Sequence, residues 1–342
     1  MKTIPHISKF YEAGKAGRVN AQYSSDGKLV LFNYSQETQF SRDWDAVTLQ
    51  SRGIVFEIST GNVIAYPFPK FFNIEEHESH EIPNETFEVF HKVDGSLGIV
   101  YYYDGTWRVN TRGSFESDQA VEAKKMLLGL DTNLLDTNVT YLVEIIFPEN
   151  RIVVDYGPMS TLILLAGYRR TDNMTFAEIP FSKLENRTPF NEVSRSFFED
   201  YNTIKALDWD NAEGFVIRFE SGFRVKIKFE TYVRLHSLMT DMTPKKILRA
   251  LAAGSPITSD LKDVPDELFD EIRDWENKFT QEYTMINIDV LHSCMLARSL
   301  PTRKEQAFFI KKDSKYPGSV FGLLDNKDIS AGIWKIVENK LL

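Results

Sequence analysis

The chain has one cysteine, Cys294, in 342 residues. An internal disulfide and a zinc site built on paired thiolates are therefore excluded, which points to a reducing, intracellular setting. No apolar run approaches the length needed to cross a bilayer. Met1-Lys2-Thr3-Ile4-Pro5-His6 leads into no apolar segment of the kind a secretory signal carries. The expectation is a cytoplasmic monomer with no membrane partner. Internal repeats and low-complexity segments are also missing. So is an excess of positive charge: 40 Lys and Arg face 49 Asp and Glu, a net charge of −9. Binding to nucleic acid by bulk electrostatics is disfavoured, although a local basic groove is compatible with that balance. No Walker-A loop occurs, and no G-x-G-x-x-G precedes a helix, which argues against P-loop or kinase-like use of ATP. The histidines His6, His77, His80, His91, His236 and His292 lack zinc-type spacing and are read as surface groups.

What is present suggests two domains. Up to about residue 235 the chain is β-rich. Strand-like runs cover 28–32, 53–58, 140–145, 162–165, 214–219 and 223–228. Between them, Gln119 to Leu128 reads as a helix capped by Ser117 and stopped by Gly129. Beyond Tyr232 the pattern turns helical. Thr243-Pro244 reads as N-cap and first helical position, and Gly254 as the stop. From Pro265 onward, Leu268, Ile272, Trp275, Phe279, Tyr283, Ile286 and Val290 form one apolar stripe that predicts a long helix. Thr302 with Glu305 resembles a capping box, and Ile333, Ile336, Val337 and Leu341 mark a last helix. The predicted fold class is α+β. Antiparallel sheets with flanking helices occupy 1–238, and a smaller all-α domain occupies 239–342.

The most informative stretch is Lys92-Val93-Asp94-Gly95-Ser96. Asp-Gly between two β-like runs is a hairpin-turn signal, because both positions tolerate positive φ. Asp104-Gly105, between Tyr101-Tyr102-Tyr103 and Trp107-Arg108-Val109, is read as a plain hairpin of that kind. K-x-D-G-S is also a signature of enzymes that attach a nucleotide to a lysine. The lysine must lose a proton before it can attack phosphorus, which burial or neighbouring positive charge favours. At this point the hairpin and the nucleophile both remain open.

Four further elements follow in order: Tyr141-Leu142-Val143-Glu144, Leu162-Ile163-Leu164-Leu165, Ala212-Glu213-Gly214-Phe215-Val216 and Val225-Lys226-Ile227-Lys228. The series resembles the nucleotidyltransferase motifs of ATP-dependent ligases and mRNA capping enzymes. Phe32-Asn33-Tyr34, Ser51-Arg52-Gly53-Ile54-Val55-Phe56-Glu57, Lys70-Phe71-Phe72-Asn73 and Pro148-Glu149-Asn150-Arg151 narrow the likeness. They resemble the first RNA ligase family of T-even bacteriophages, the tRNA-repair type. The likeness covers the N-terminal two thirds of the chain and implies that this part is a nucleotidyltransferase (adenylation) domain.

By this resemblance Lys92 is the nucleophile that accepts AMP. Lys226 and Lys228 alternate along a strand and so share a face; the resemblance puts them at the α-phosphate. Arg52 and Lys70 hold the β- and γ-phosphates, a task suited to a guanidinium fork. Glu144 holds the ribose hydroxyls, and Gly95 belongs to the ATP-binding motif. Glu213 organises a magnesium or manganese ion, with Asp94 helping to hold it. Magnesium takes few protein carboxylates and keeps several waters. Arg112 aligns with a family lysine needed for ligation. Tyr34 lies near the nucleotide or serves as a core aromatic, and Phe72 is packing. The family's paired aspartates of the helical domain correspond to Ser259-Asp260, where one carboxylate is missing and Asp260 is either a remaining metal ligand or a helix-cap or turn residue.

The implied activity is ATP-dependent ligation of RNA. AMP passes from Lys92 to an RNA 5′-phosphate, and a 3′-hydroxyl then seals the AppRNA intermediate. Single strands or a nicked tRNA loop would be substrates, in RNA repair or tRNA processing. If the protein is phage-encoded, the setting is the infected host's cytoplasm. The rivals are a DNA ligase or capping-type enzyme, disfavoured by the helical C-terminal segment, and a non-catalytic RNA-end-binding protein. The last is disfavoured because Lys92, Glu144, Glu213, Lys226 and Lys228 are all retained.

Overall fold

Alternation of apolar side chains sorts the first two thirds of the chain into sheets. The computed structural model describes residues 4–172, 175–259 and 266–342. Two compact units divide the chain, Met1–Val233 and Arg234–Leu342.

In the first unit the strands, in chain order, are β1 Val19–Tyr23, β2 Leu29–Tyr34, β3 Arg52–Glu57, β4 Val63–Ala65, β5 Phe72–Asn73, β6 Phe87–His91, β7 Ser96–Tyr103 and β8 Thr106–Thr111. They continue with β9 Val139–Ile146, β10 Thr161–Arg170, β11 Phe176–Glu178, β12 Asn191–Glu192, β13 Arg195–Ser196, β14 Gly214–Phe219 and β15 Arg224–Lys228. One sheet runs β1-β2-β3-β4, a second β11-β10-β9-β7-β8 with β12 beside β10, and a third β13-β6-β14-β15-β5. Pairing is antiparallel except for β10 with β12 and β15 with β5.

Strand β9 illustrates how the sequence places the site. Tyr141, Val143 and Ile145 face a core shared with Ala123 and Leu127 of the helix Asp118–Leu128. Leu142, between them, faces the other way, into a core with Phe32, Phe56, Ile99 and Tyr101. Glu144 falls in the Leu142 row, because side chains alternate. The second face is completed by the helix Ile7–Lys15, whose buried Ile7, Phe10 and Ala13 recur every three residues. Ser117 caps Asp118–Leu128, accepting from the Ala120 N–H, and Gly129 follows at the end, as expected.

The two Asp-Gly pairs behave differently. Asp104-Gly105 is the expected hairpin: β7 and β8 pair directly, and both turn residues have positive φ, 51° and 78°. Asp94-Gly95 is no hairpin, which corrects that reading. Strand β6 before it belongs to the third sheet and β7 after it to the second. The motif is a crossover between sheets.

A helix, Glu230–Asp241, carries the chain across the division. The second unit is helical throughout its described residues: Pro244–Ala252, Asp266–Arg298, Arg303–Asp313, Pro317–Leu324 and Ser330–Leu341. Thr243 caps the first, and Thr302 with Glu305 forms a capping box on the third. Ile272, Phe279, Ile286, Val290 and Cys294 of the long helix pack with Ile247, Ile310, Val320, Ile333 and Val337. Trp275 and Tyr283 lie partly buried against them. The Leu268 side chain, Pro265 and Asp260 lie outside the described residues. The helix Pro317–Leu324 is an element that sequence reading did not identify. Among the described residues no helix is long and apolar enough to cross a membrane.

Candidate active site

The crossover from β6 to β7 opens into a cavity of about 620 Å³ where the three sheets meet. Tyr34, Arg52, Lys70, Lys92, Gly95, Arg112, Glu144, Lys226 and Lys228 all line it. Nine residues drawn from nearly 200 positions of sequence thus converge on one space of ordinary ligand size.

Lys92 follows the last residue of β6, and its N–H donates to the Gly214 carbonyl (2.8 Å), which fixes its backbone to β14. Its Nζ lies 2.7 Å from Glu213 Oε2, while Lys228 Nζ lies 3.0 Å from Glu213 Oε1. The Glu213 carboxylate is 3% exposed and so sits buried between two ammonium groups. Gly95 is demanded by close approach, not by φ. A Cβ there would stand 2.7 Å from the Ile145 carbonyl oxygen and 2.6 Å from Ile146 Cδ1.

Cations dominate the rest of the wall. Lys226 is pushed down to about 7 by burial and then by the charges of Lys70, Lys92, Lys228 and Arg52. Lys70 is pushed down to about 8, again by burial first and by Arg52 next. Burial also lowers Arg52, whose Nη1 has no hydrogen-bond partner among the described residues. Arg112 Nη1 donates to Tyr34 Oη at 2.7 Å. Against these stands Glu144, pushed up to about 7 by burial, with Lys92 opposing. A cavity that crowds positive charge in a poorly solvated space is built for a polyanion.

Asp94, expected as an ATP and metal ligand, is not among the residues that line this cavity, and neither is Glu213. Asp94 Oδ2 accepts from the Val153 and Val154 N–H groups (2.8 and 2.9 Å), and its Oδ1 accepts from Tyr232 Oη (2.8 Å). With its carboxylate so occupied and 3% exposed, Asp94 anchors a loop. Among the described residues no group of three or more His, Cys, Asp or Glu is arranged to hold a metal. A magnesium ion held by one carboxylate and substrate phosphates needs no such group; Glu213 could serve as that carboxylate once its pairs with Lys92 and Lys228 open, since both of its oxygens are taken in this structure. His91 and His77 are not surface groups. The His91 ring packs on Trp209 and Phe215, with Nε2 2.8 Å from Ser196 Oγ, and His77 packs on Phe72 and Phe223.

Sequence reading missed Arg218, Arg224 and Glu178, which also line the cavity. Arg218 Nε donates to Glu178 Oε1 at 2.8 Å, and Arg224 pairs with the same oxygen. Arg224 was within reach of the alternation argument, since 224, 226 and 228 share one face of β15.

The RNA ligase family model matches residues 50–232, over half of the chain. The chain belongs to the RNA ligase family. Within it, the chain is similar to a protein of Autographa californica nuclear polyhedrosis virus assigned as a bifunctional polynucleotide kinase/RNA ligase. The two are 27% identical over 310 residues, which cover 80% of this chain and 43% of that one. It is also similar to the RNA ligase of Rhodothermus phage RM378, 24% identical over 299 residues, covering 65% of this chain and 67% of the relative. The chain thus spans less than half the length of the first relative. Among solved structures, an assigned ATP-dependent DNA ligase from Aquifex aeolicus matches with a TM-score of 0.51 at 15% identity, over 94% of this chain and 99% of that one. That likeness establishes the shared ligase fold.

Proposed function

We propose that the protein is an ATP-dependent RNA ligase working through a lysyl-AMP intermediate. The observation that carries this reading is the placement of Lys92 Nζ against the buried Glu213 carboxylate at a cavity lined by Arg52, Lys70, Arg112, Lys226 and Lys228. Membership of the family supports the choice of RNA.

Lys92, once neutral, attacks the α-phosphorus of ATP. The N–P bond forms as the P–O bond to pyrophosphate breaks, leaving a lysyl-AMP phosphoramidate. Lys226 and Lys228 meet the charge on the α-phosphate oxygens, and Arg52 and Lys70 orient the leaving pyrophosphate. Charge of this kind, fixed in place before reaction, is the main catalytic resource in phosphoryl transfer. Glu144 holds the ribose, while Tyr34 and Arg112 form one wall of the site. Glu213 would hold the magnesium or manganese ion, which supplies neutralisation of phosphate charge. AMP then passes to the 5′-phosphate of an RNA strand, and a 3′-hydroxyl displaces AMP to form the phosphodiester. Splitting the condensation in two gives each half an activated phosphorus.

In this reading residues 1–238 carry nucleotidyl transfer, and 239–342 help to select the RNA, as single strands or a nicked tRNA loop. The wholly helical make-up of the described part of the second unit supports RNA ligation over DNA-ligase or capping activity, which would call for a β-barrel module there. The reading keeps the expectation of a cytoplasmic monomer engaged in RNA repair.

The test is incubation with α-labelled ATP and magnesium, after pyrophosphate has stripped any bound AMP. Wild type should retain label through denaturing electrophoresis, and Lys92→Ala should not. An unlabelled wild type would overturn the reading. Labelled wild type that fails to join RNA 5′-phosphate and 3′-hydroxyl ends would overturn the choice of RNA.

A further inference from the structure

Among the described residues Lys70 makes no direct ion pair, and the Glu76 carboxylate acts on it only from farther off. Its Nζ instead lies 5.3 Å from the ring centroid of Tyr34, 5.2 Å from that of Trp44 and 5.4 Å from that of Phe72. Each distance is within the range of cation–π attraction. The rings come from three places in the chain: the end of β2, the loop after the helix Gln36–Ser41, and β5. Trp44 joins them, meeting Tyr34 edge-on at 5.1 Å and Phe72 at 5.7 Å. Gln39 Oε1 accepts one Nζ hydrogen at 3.1 Å. The lysine nevertheless lines the cavity.

This arrangement solves a specific problem. Lys70 stands in a poorly solvated place beside the Arg52 guanidinium, and both conditions favour loss of its proton. A carboxylate neighbour would restore the charge but would also repel a polyanion. Aromatic faces favour the ammonium form without adding a negative charge. Three of them, fixed against one another, also restrict a long side chain that otherwise samples many rotamers.

We propose that Trp44 is a positioning residue for the transferred nucleotide's leaving group: it closes an aromatic cage that keeps Lys70 charged and aimed at the distal phosphates. This inference rests on the proposed ligase reading. It predicts a selective defect. Attack of Lys92 on ATP expels pyrophosphate and needs the cage, whereas sealing a pre-adenylylated RNA strand to a 3′-hydroxyl expels AMP and does not.

The test uses Trp44→Leu and Trp44→Phe in the full chain. Inorganic pyrophosphate binding is measured by calorimetry, and the KM for ATP and kcat of lysyl-AMP formation are compared with the rate of sealing pre-adenylylated RNA. Trp44→Leu should weaken pyrophosphate binding about tenfold and raise the KM for ATP by a similar factor. Its kcat should change less than its KM, and its sealing rate should match wild type. Trp44→Phe should recover most of the loss, because the ring face returns. Trp44 is only half-buried in a loop, so both variants should fold, and the sealing rate reports directly on whether they have. Unchanged pyrophosphate binding in Trp44→Leu, an equal loss in Trp44→Phe, or a parallel loss of sealing would each overturn the inference. Failure of the wild type itself to take label from ATP would overturn the ligase reading instead.

Discussion

Lys92 and Glu213, 121 residues apart in sequence, form an ion pair of 2.7 Å, with Lys228 on the other oxygen of the same carboxylate. An ammonium has no lone pair, so Lys92 must give up a proton before it can attack phosphorus. The Glu213 carboxylate holds the nucleophile in place at rest. Glu213→Gln keeps the shape and removes the charge. Label transfer from ATP should fall at least tenfold in single turnover, with a higher magnesium requirement. Stability should also fall, because two cations lose a buried partner. The lysine side chains are 23% and 27% exposed, so water offsets part of that loss and about 1–3 kcal/mol is expected in urea unfolding. Label transfer at the wild-type rate would remove Glu213 from the chemistry.

The crowded lysines give the empty cavity its own pH dependence. Burial and the neighbouring charges push Lys226 down to about 7, well below the ordinary 10.5. At pH 8 the empty site is therefore short of protons. A bound triphosphate favours the ammonium forms, so binding should draw protons from solution. Affinity for ATP without divalent metal should decline as pH rises from 7 to 9. Calorimetry at pH 8 in buffers of different ionisation enthalpy should show uptake of roughly one proton per ATP, and less in Lys226→Gln. A binding enthalpy indifferent to buffer would contradict this.

The same groups affect folding, with opposite signs. The lysines are depressed on folding, so the unfolded chain binds more protons between about 7 and 10.5, and stability from them rises with pH across that window and is lost as pH falls through 8 and then 7. Glu144 is raised from 4.5 to about 7, so its contribution is present at low pH and lost as pH climbs from 4.5 through 7.

The members of this site were legible because they sit on regular strands. Alternation alone puts Lys226 and Lys228 on one face of β15 and Glu144 opposite the Tyr141 and Val143 row of β9. Which strands become neighbours was not legible. Phe87–His91 and Ser96–Tyr103 carry the same local signals as the strands around Asp104-Gly105, yet they join different sheets. Sheet membership is decided by partners far along the chain: β6 pairs with β14, more than 120 residues later. Trp44 was invisible for the same reason. A single tryptophan in a polar loop carries no periodic signal, and its importance lies in three rings gathered by the fold.

Asp94 is the residue whose role changes most between sequence and structure, and stability measurements can separate the two readings. As an anchor it accepts two backbone N–H groups and the Tyr232 hydroxyl, partners 59, 60 and 138 residues away. Asp94→Ala takes the acceptor from the buried Val153 and Val154 N–H groups and should cost about 2–4 kcal/mol. Asp94→Asn keeps an oxygen for the N–H groups and can donate its amide to the Tyr232 oxygen, so it should cost about 1 kcal/mol. Tyr232→Phe removes one bond of the set and should also cost about 1 kcal/mol. Because Asp94 accepts from Tyr232 directly, the double variant Asp94→Ala, Tyr232→Phe should cost less than the sum of its parts. A metal ligand in the cavity would behave in the opposite way. Asp94→Ala would then leave urea unfolding of the metal-free protein unchanged and raise the magnesium needed for label transfer, and Tyr232→Phe would show no coupling to it.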